Sequence, residues 1–138
     1  MQYLEPVIGG LAAFMLGFAW YTALFGKAWQ AETGVTDEQA QSGIAITHGG
    51  AFVMMILISF GINMFFNYHP AEDHTFVHGA FHGGLNCLLF GIPLMIINYL
   101  YQKKSFKLMA IDGSYALAWF ALSGGVMAVL SMAGPYPS

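Results

Sequence analysis

The sequence predicts an all-α integral membrane protein, a bundle of four transmembrane helices in one domain over residues 1–138. Two observations predict it. Apolar residues make up 57% of the chain and charged residues 8%. The apolar residues also fall in four long runs. An ordinary soluble domain carries about 25% charged residues, so this chain holds roughly a third of the usual supply. Four basic residues, seven acidic ones and five histidines cannot clothe a water-soluble domain of 138 residues. The same shortage excludes a disordered chain, and so few basic residues exclude a nucleic-acid partner. A single cysteine, Cys87, excludes a disulfide scaffold.

The spans follow from length. A helix rises about 1.5 Å per residue, so a hydrocarbon core of about 30 Å takes roughly 20 apolar residues. Leu4–Phe25, Ile44–Phe66, Phe76–Tyr101 and Phe106–Met132 are the four windows that qualify. Each is far longer than a barrel strand of about 10 residues, and a helix satisfies its own backbone groups in lipid. In span one, Pro6 suits the first helical turn, where its missing N–H costs nothing. The opening Met-Gln-Tyr-Leu-Glu lacks a positive segment, so span one is expected to be retained and not cleaved as a signal peptide. The loop Gly26–Gly43 is the one long connection, and Thr36-Asp-Glu-Gln39 within it is a capping-box pattern for a short surface helix. Between spans two and three, Asn67–Thr75 carries Glu72 and Asp73. Span three contains Pro93, which predicts a kink because proline removes a backbone bond.

Lys27 lies in the first loop, and Lys103, Lys104 and Lys107 flank the third. The positive-inside rule therefore places those loops in the cytoplasm and both termini outside. Trp20, Tyr21, Trp29, Tyr99 and Tyr101 crowd the same level and are expected to anchor the bundle at the interface. Small residues repeat at four-residue spacing, as Gly9, Ala13 and Gly17 in span one and as Gly79 and Gly83 in span three. Such stripes let helices approach closely, within one bundle or between subunits.

Trp20-Tyr21, then Phe25-Gly-Lys27-Ala-Trp29, and later Asn98-Tyr-Leu-Tyr-Gln-Lys-Lys104-Ser-Phe-Lys107-Leu form two signatures after spans one and three. With them the chain resembles the small bacterial membrane proteins grouped as domain of unknown function 1761, over nearly its whole length. The resemblance implies a four-span protein of the bacterial inner (plasma) membrane. It implies no activity, and it marks one departure, since that family often has asparagine where Asp112 stands.

An ionisable group at membrane depth costs about 2.5–3.5 kcal/mol by the lower estimates, so each one calls for an explanation. His48, Asn98 and Asp112 lie within roughly 5–9 Å of the inner boundary. They are expected to form an inner polar layer in which His48 donates to Asp112, either as interhelical glue or as part of a proton or ion path. At the other end, His74, His78 and His82 follow at four-residue spacing and are expected to share a helix face, with Glu5 and Asn63 at similar depth. This set is the candidate outer binding site.

His78 and His82, at i and i+4, can grip a metal ion, with a third ligand from Glu5, His69, Asp73 or another subunit. Histidines hydrogen-bonded to water or loop carbonyls are the alternative. One haem cannot bridge His48 to His78 or His82, which lie at opposite faces, so a b-type haem would need pairing across subunits. Cys87 reads as a small core residue and the nine methionines as filler. No catalytic constellation appears, and the chain is expected not to be an enzyme.

Four spans give a thin bundle, and its polar groups are most economically buried by oligomerisation through the small-residue faces. The expected role is a homo-oligomer in the lipid bilayer that binds or conducts a small solute or ion. Two alternatives stand beside it: a structural accessory subunit of a larger membrane complex, and a metal- or haem-binding protein using the outer histidines.

Overall fold

A computed structural model describes residues 4–66 and 71–130, and every element in them is helical. In order these are α1 (Glu5–Ala19) with a π-helical turn (Trp20–Leu24), α2 (Gly26–Thr33), α3 (Asp37–Gln41) and α4 (Ile44–Phe66). A 3-10 turn (Ala71–Asp73) leads to α5 (Phe76–Asn86), a second π-helical turn (Cys87–Gly91), α6 (Ile92–Tyr101) and α7 (Phe106–Leu130). Glu5–Leu24, Ile44–Met64, Phe76–Tyr101 and Phe106–Leu130 are long and apolar enough to cross a membrane. The four predicted windows therefore correspond to four helical stretches.

Local signals place most helix ends. Pro6 occupies the first turn of α1. Thr36 forms the full capping box, with Gln39 N–H donating to its hydroxyl at 3.2 Å and its own N–H donating to Gln39 Oε1 at 3.0 Å. Most of the stretch expected to be a loop is helical. Lys27-Ala-Trp-Gln-Ala-Glu is built of good helix formers, and α2 runs until Gly34 takes the left-handed conformation at φ 73° that ends it.

Both π turns sit where a long helix is disturbed. Phe25 N–H reaches back five residues to the Trp20 carbonyl at 2.8 Å. Ile92 N–H reaches back to Cys87 in the same way, directly before Pro93. Proline returns no N–H to the preceding turn, and the widened turn is where the ladder absorbs that loss. The expected disturbance at Pro93 thus takes the form of a π turn.

Helix α7 is the centre of the bundle. Of its most apolar window 44% is buried, against 6% for α4. Helix α5 packs on α7 through glycine. A Cβ at Gly79 would collide with the Gly124 carbonyl, one at Gly83 with the Phe120 carbonyl, and one at Gly124 with the Gly79 carbonyl. On the other flank, a Cβ at Gly9 would lie 2.7 Å from Met127 Cε and 3.2 Å from Ser59 Oγ, and one at Gly17 would strike the Tyr115 hydroxyl. Both small-residue stripes are therefore used inside the bundle, not as subunit faces. Their close approach also buries Ala13, Tyr115 and Trp119 as a core cluster.

The end carrying the lysines is closed by α2. Ser105 caps α7 by accepting from Leu108 N–H at 3.0 Å, while its hydroxyl donates to Glu32. Lys107 Nζ lies 3.2 Å from the same carboxylate. The Ser105 hydroxyl and the Lys107 ammonium hold the Glu32 carboxyl below its usual range.

Candidate functional site

Asp112 lies in the second turn of α7 and is 9% exposed. Its carboxylate accepts two hydroxyls, Tyr21 OH on Oδ1 and Tyr99 OH on Oδ2, each at 2.7 Å. Tyr21 comes from the π turn after α1 and Tyr99 from the last turns of α6. The residue widening the α1 turn lets both members of the aromatic pair reach α7. Trp20 Nε1 donates to the Ile111 carbonyl at 3.3 Å while Tyr21 takes Asp112. π turns recur at functional sites because they rotate side chains without breaking the helix. Around the carboxylate, the Tyr21 ring meets Tyr115 at 5.0 Å and Trp29 at 5.6 Å, both edge to face. Among the described residues no cationic side chain forms an ion pair with Asp112, and Lys107 pairs with Glu32.

The expected inner layer is not assembled as predicted. His48 lies on an exposed stretch of α4 with its ring edge-on to Phe14 at 6.2 Å, and the two bonds to Asp112 come from the tyrosines. Asn98 is exposed and donates to the Leu94 carbonyl of its own helix at 3.0 Å. The three residues share a depth, but they point in different directions about their helix axes. Tyr21 and Tyr99, expected as interface anchors, are the partners that sequence reasoning missed. Their depth, level with Asp112, was the available signal. Tyr101, at 85% exposure, keeps the anchoring orientation.

Further along α7 the buried polar groups continue on one side. Tyr115 OH donates to the Ala13 carbonyl at 3.2 Å. Ser123 and Ser59 share a hydrogen bond of 2.7 Å, and neither side chain is exposed. Asp112, Tyr115, Trp119 and Ser123 recur at helical spacing, so a polar seam interrupted by Trp119 runs along α7. Its ends are about 16 Å apart at 1.5 Å per residue.

The outer set divides in two. His78 and His82 stack with ring centroids 4.6 Å apart on α5. His74 precedes the helix, since Thr75 caps it by accepting from His78 N–H at 3.2 Å and α5 starts at Phe76. Glu5 and Asn63 are buried in the α1 and α4 pair, at 8% and 5% exposure. Among the described residues no three His, Cys, Asp or Glu side chains gather into a metal site. His69, one expected third ligand, lies outside the described residues. Cys87 is fully buried and free, as a small core residue should be.

A family model described as a protein of unknown function, DUF1761, matches residues 4–128. No curated protein and no solved structure matches the chain.

Proposed function

The chain belongs to the DUF1761 family, whose description assigns no activity, and from its geometry we propose a homo-oligomeric membrane protein that binds or conducts a small cation, the proton included. It is not an enzyme. The observation that carries this reading is the Asp112 carboxylate, buried among α1, α6 and α7 and bonded to two neutral hydroxyls. A carboxylate at membrane depth without a cationic side chain beside it is a place where a cation or proton can be held. The seam from Asp112 through Tyr115 to Ser123 and Ser59 supplies polar atoms toward the opposite end. The lysine-bearing loops are assigned to the cytoplasm of a bacterial inner membrane, and Asp112 therefore to the inner half.

The test is ion flux in vesicles containing the full chain, read with a pH-sensitive dye and, separately, a sodium-sensitive dye. The parent protein is expected to relax one imposed gradient several-fold faster than empty vesicles, and Asp112→Asn to remove that excess. Flux that persists in Asp112→Asn, or calorimetry and flux that show no ion interaction in the parent, would overturn the assignment.

The oligomer rests on α4. Residues 44–50 are all exposed, and Gly49, Gly50 and Gly61 have nothing within 4 Å of a built Cβ. His48 on that stretch would face hydrocarbon, a costly arrangement unless another protein surface covers it. Gly50→Leu is therefore expected to leave the bundle's unfolding temperature unchanged and to lower the mass of the native particle in mild detergent. A single subunit mass in the parent would refute the oligomer.

A further inference from the structure

Helix α2 lies across the lysine-bearing end and gives no bond to Asp112 itself. It packs on α7 and on the π turn that carries Tyr21. Near its C-terminal end, Glu32 accepts from the Ser105 hydroxyl and lies 3.2 Å from Lys107 Nζ. One turn earlier, the Trp29 ring meets Tyr21 edge-on at 5.6 Å, and Tyr21 OH donates to Asp112. Ser105, Leu108 and Asp112 follow at spacings of three and four, so they mark one face of α7. Asp112 therefore stands two turns beyond the Glu32 contacts, about 10 Å at 1.5 Å per residue. Leu108 between them is buried, and so is Asp112 with α2 in this position.

The hold on this helix is slight. None of its residues is fully buried. The Lys107 side chain that pairs with Glu32 is 61% exposed, and an ion pair so open to water contributes little. Segments with few buried apolar groups open at low cost in free energy, and the lids of functional sites are drawn from them. Both ends of α2 are articulated by glycine. Gly34 takes the left-handed conformation after its last turn. At Gly26 a Cβ would lie 2.5 Å from the Tyr21 carbonyl oxygen, so a larger residue there would push α2 off the turn that carries Tyr21.

We propose that α2 is a latch over Asp112, held shut by Glu32 on Ser105 and Lys107, and that its release admits water and small ions to the carboxylate from the lysine-bearing end. The inference rests on the reading of Asp112 as an ion site and gives that site a controlled entrance. The two bonds on Asp112 come from Tyr21 on the π turn after α1 and Tyr99 on α6. Neither donor belongs to α2, so the site stays assembled when the latch opens.

The test is thiol labelling of the full chain in lipid nanodiscs, which leave both faces in water and require no ion flux. Cys87→Ala removes the native thiol, and Asp112→Cys places one at the site. Labelling by a charged, water-soluble methanethiosulfonate is expected to be slow, and to quicken several-fold when Glu32→Ala is added. Tyr99→Cys is a second reporter, because it keeps the carboxylate and the Tyr21 bond. Circular dichroism verifies that each variant folds. Hydrogen exchange of the α2 amides, read in the chain that keeps Asp112, is expected to quicken in Glu32→Ala and in Gly26→Ala. Labelling rates at both positions that ignore Glu32→Ala overturn the latch. So do fast labelling while Glu32 is present, and α2 amides that exchange alike in the parent and in Glu32→Ala. Labelling that quickens in a chain without ion flux supports the latch and strikes the ion assignment alone.

Discussion

Gly83→Leu is expected to cost the protein about 3 kcal/mol or more of stability, beyond the usual range for an overpacked side chain. The reason is the partner. At this position a Cβ would enter the Phe120 backbone carbonyl and lie 3.2 Å from the Gly124 Cα. Backbone cannot swing aside as a flexible side chain can, so α5 must move away from α7 as a unit. That movement also separates Gly79 from Gly124 and Ala128, one turn further along. Loss of this contact strips the central helix of its partner on one whole flank. The measurement is unfolding of the detergent-solubilised protein by titrated denaturant, with Gly61→Leu as the comparison. Gly61 opens on empty space, and its variant is expected to unfold like the parent. Equal midpoints for Gly83→Leu and Gly61→Leu would mean that α5 and α7 are not held by this seam.

The second large effect is expected from Asp112→Ala. Two tyrosine hydroxyls from different helices end on this carboxylate, so its removal leaves both donors without an acceptor in a largely buried setting. Hydrogen bonds to a charged group contribute about 1.5–3 kcal/mol each, and the combined loss is expected near 3 kcal/mol after partial relaxation. Asp112→Asn keeps one carbonyl oxygen, which can accept one tyrosine, and is expected to lose about half as much. Tyr21→Phe and Tyr99→Phe each remove one bond and should fall near the asparagine variant. Thermal unfolding of the four variants in one detergent checks the order. An alanine variant as stable as the parent would show that the carboxylate does not tie α1 and α6 to α7. The same variants separate holding from handling, because Tyr21→Phe leaves the carboxylate in place for the flux assay.

Elements legible in the sequence were those decided by neighbours in the chain. Pro6, the Thr36 to Gln39 capping box and the four apolar runs appear in the structure where the sequence places them. Their physics is local: a fixed φ, a reciprocal pair of hydrogen bonds, and enough apolar length to cross hydrocarbon. Helix α2 was hidden because its residues are polar and adjoin a loop signal, although its composition favours a helix. The third apolar run and α5 both start at Phe76, and the histidine spacing erred only in carrying the helical stripe back to His74, ahead of the Thr75 cap.

The candidate site was legible in one coordinate. Position along each span follows from counting residues, and three of the polar groups it singled out, Asp112, Glu5 and Asn63, are buried. Direction about the helix axis did not follow, and the pairing of His48 with Asp112 failed on that coordinate. Tyr21 faces Asp112 because a π turn adds a residue to the last turn of α1, and no composition rule announces such a turn. By itself the sequence determined the helical class and the four spans, because water and hydrocarbon sort a chain by local apolarity. Tertiary structure alone decided who faces whom. Spans four and two show little net apolar bias toward any one face, so lipid exerts only a weak preference, and the choice fell to where glycine lets two backbones meet.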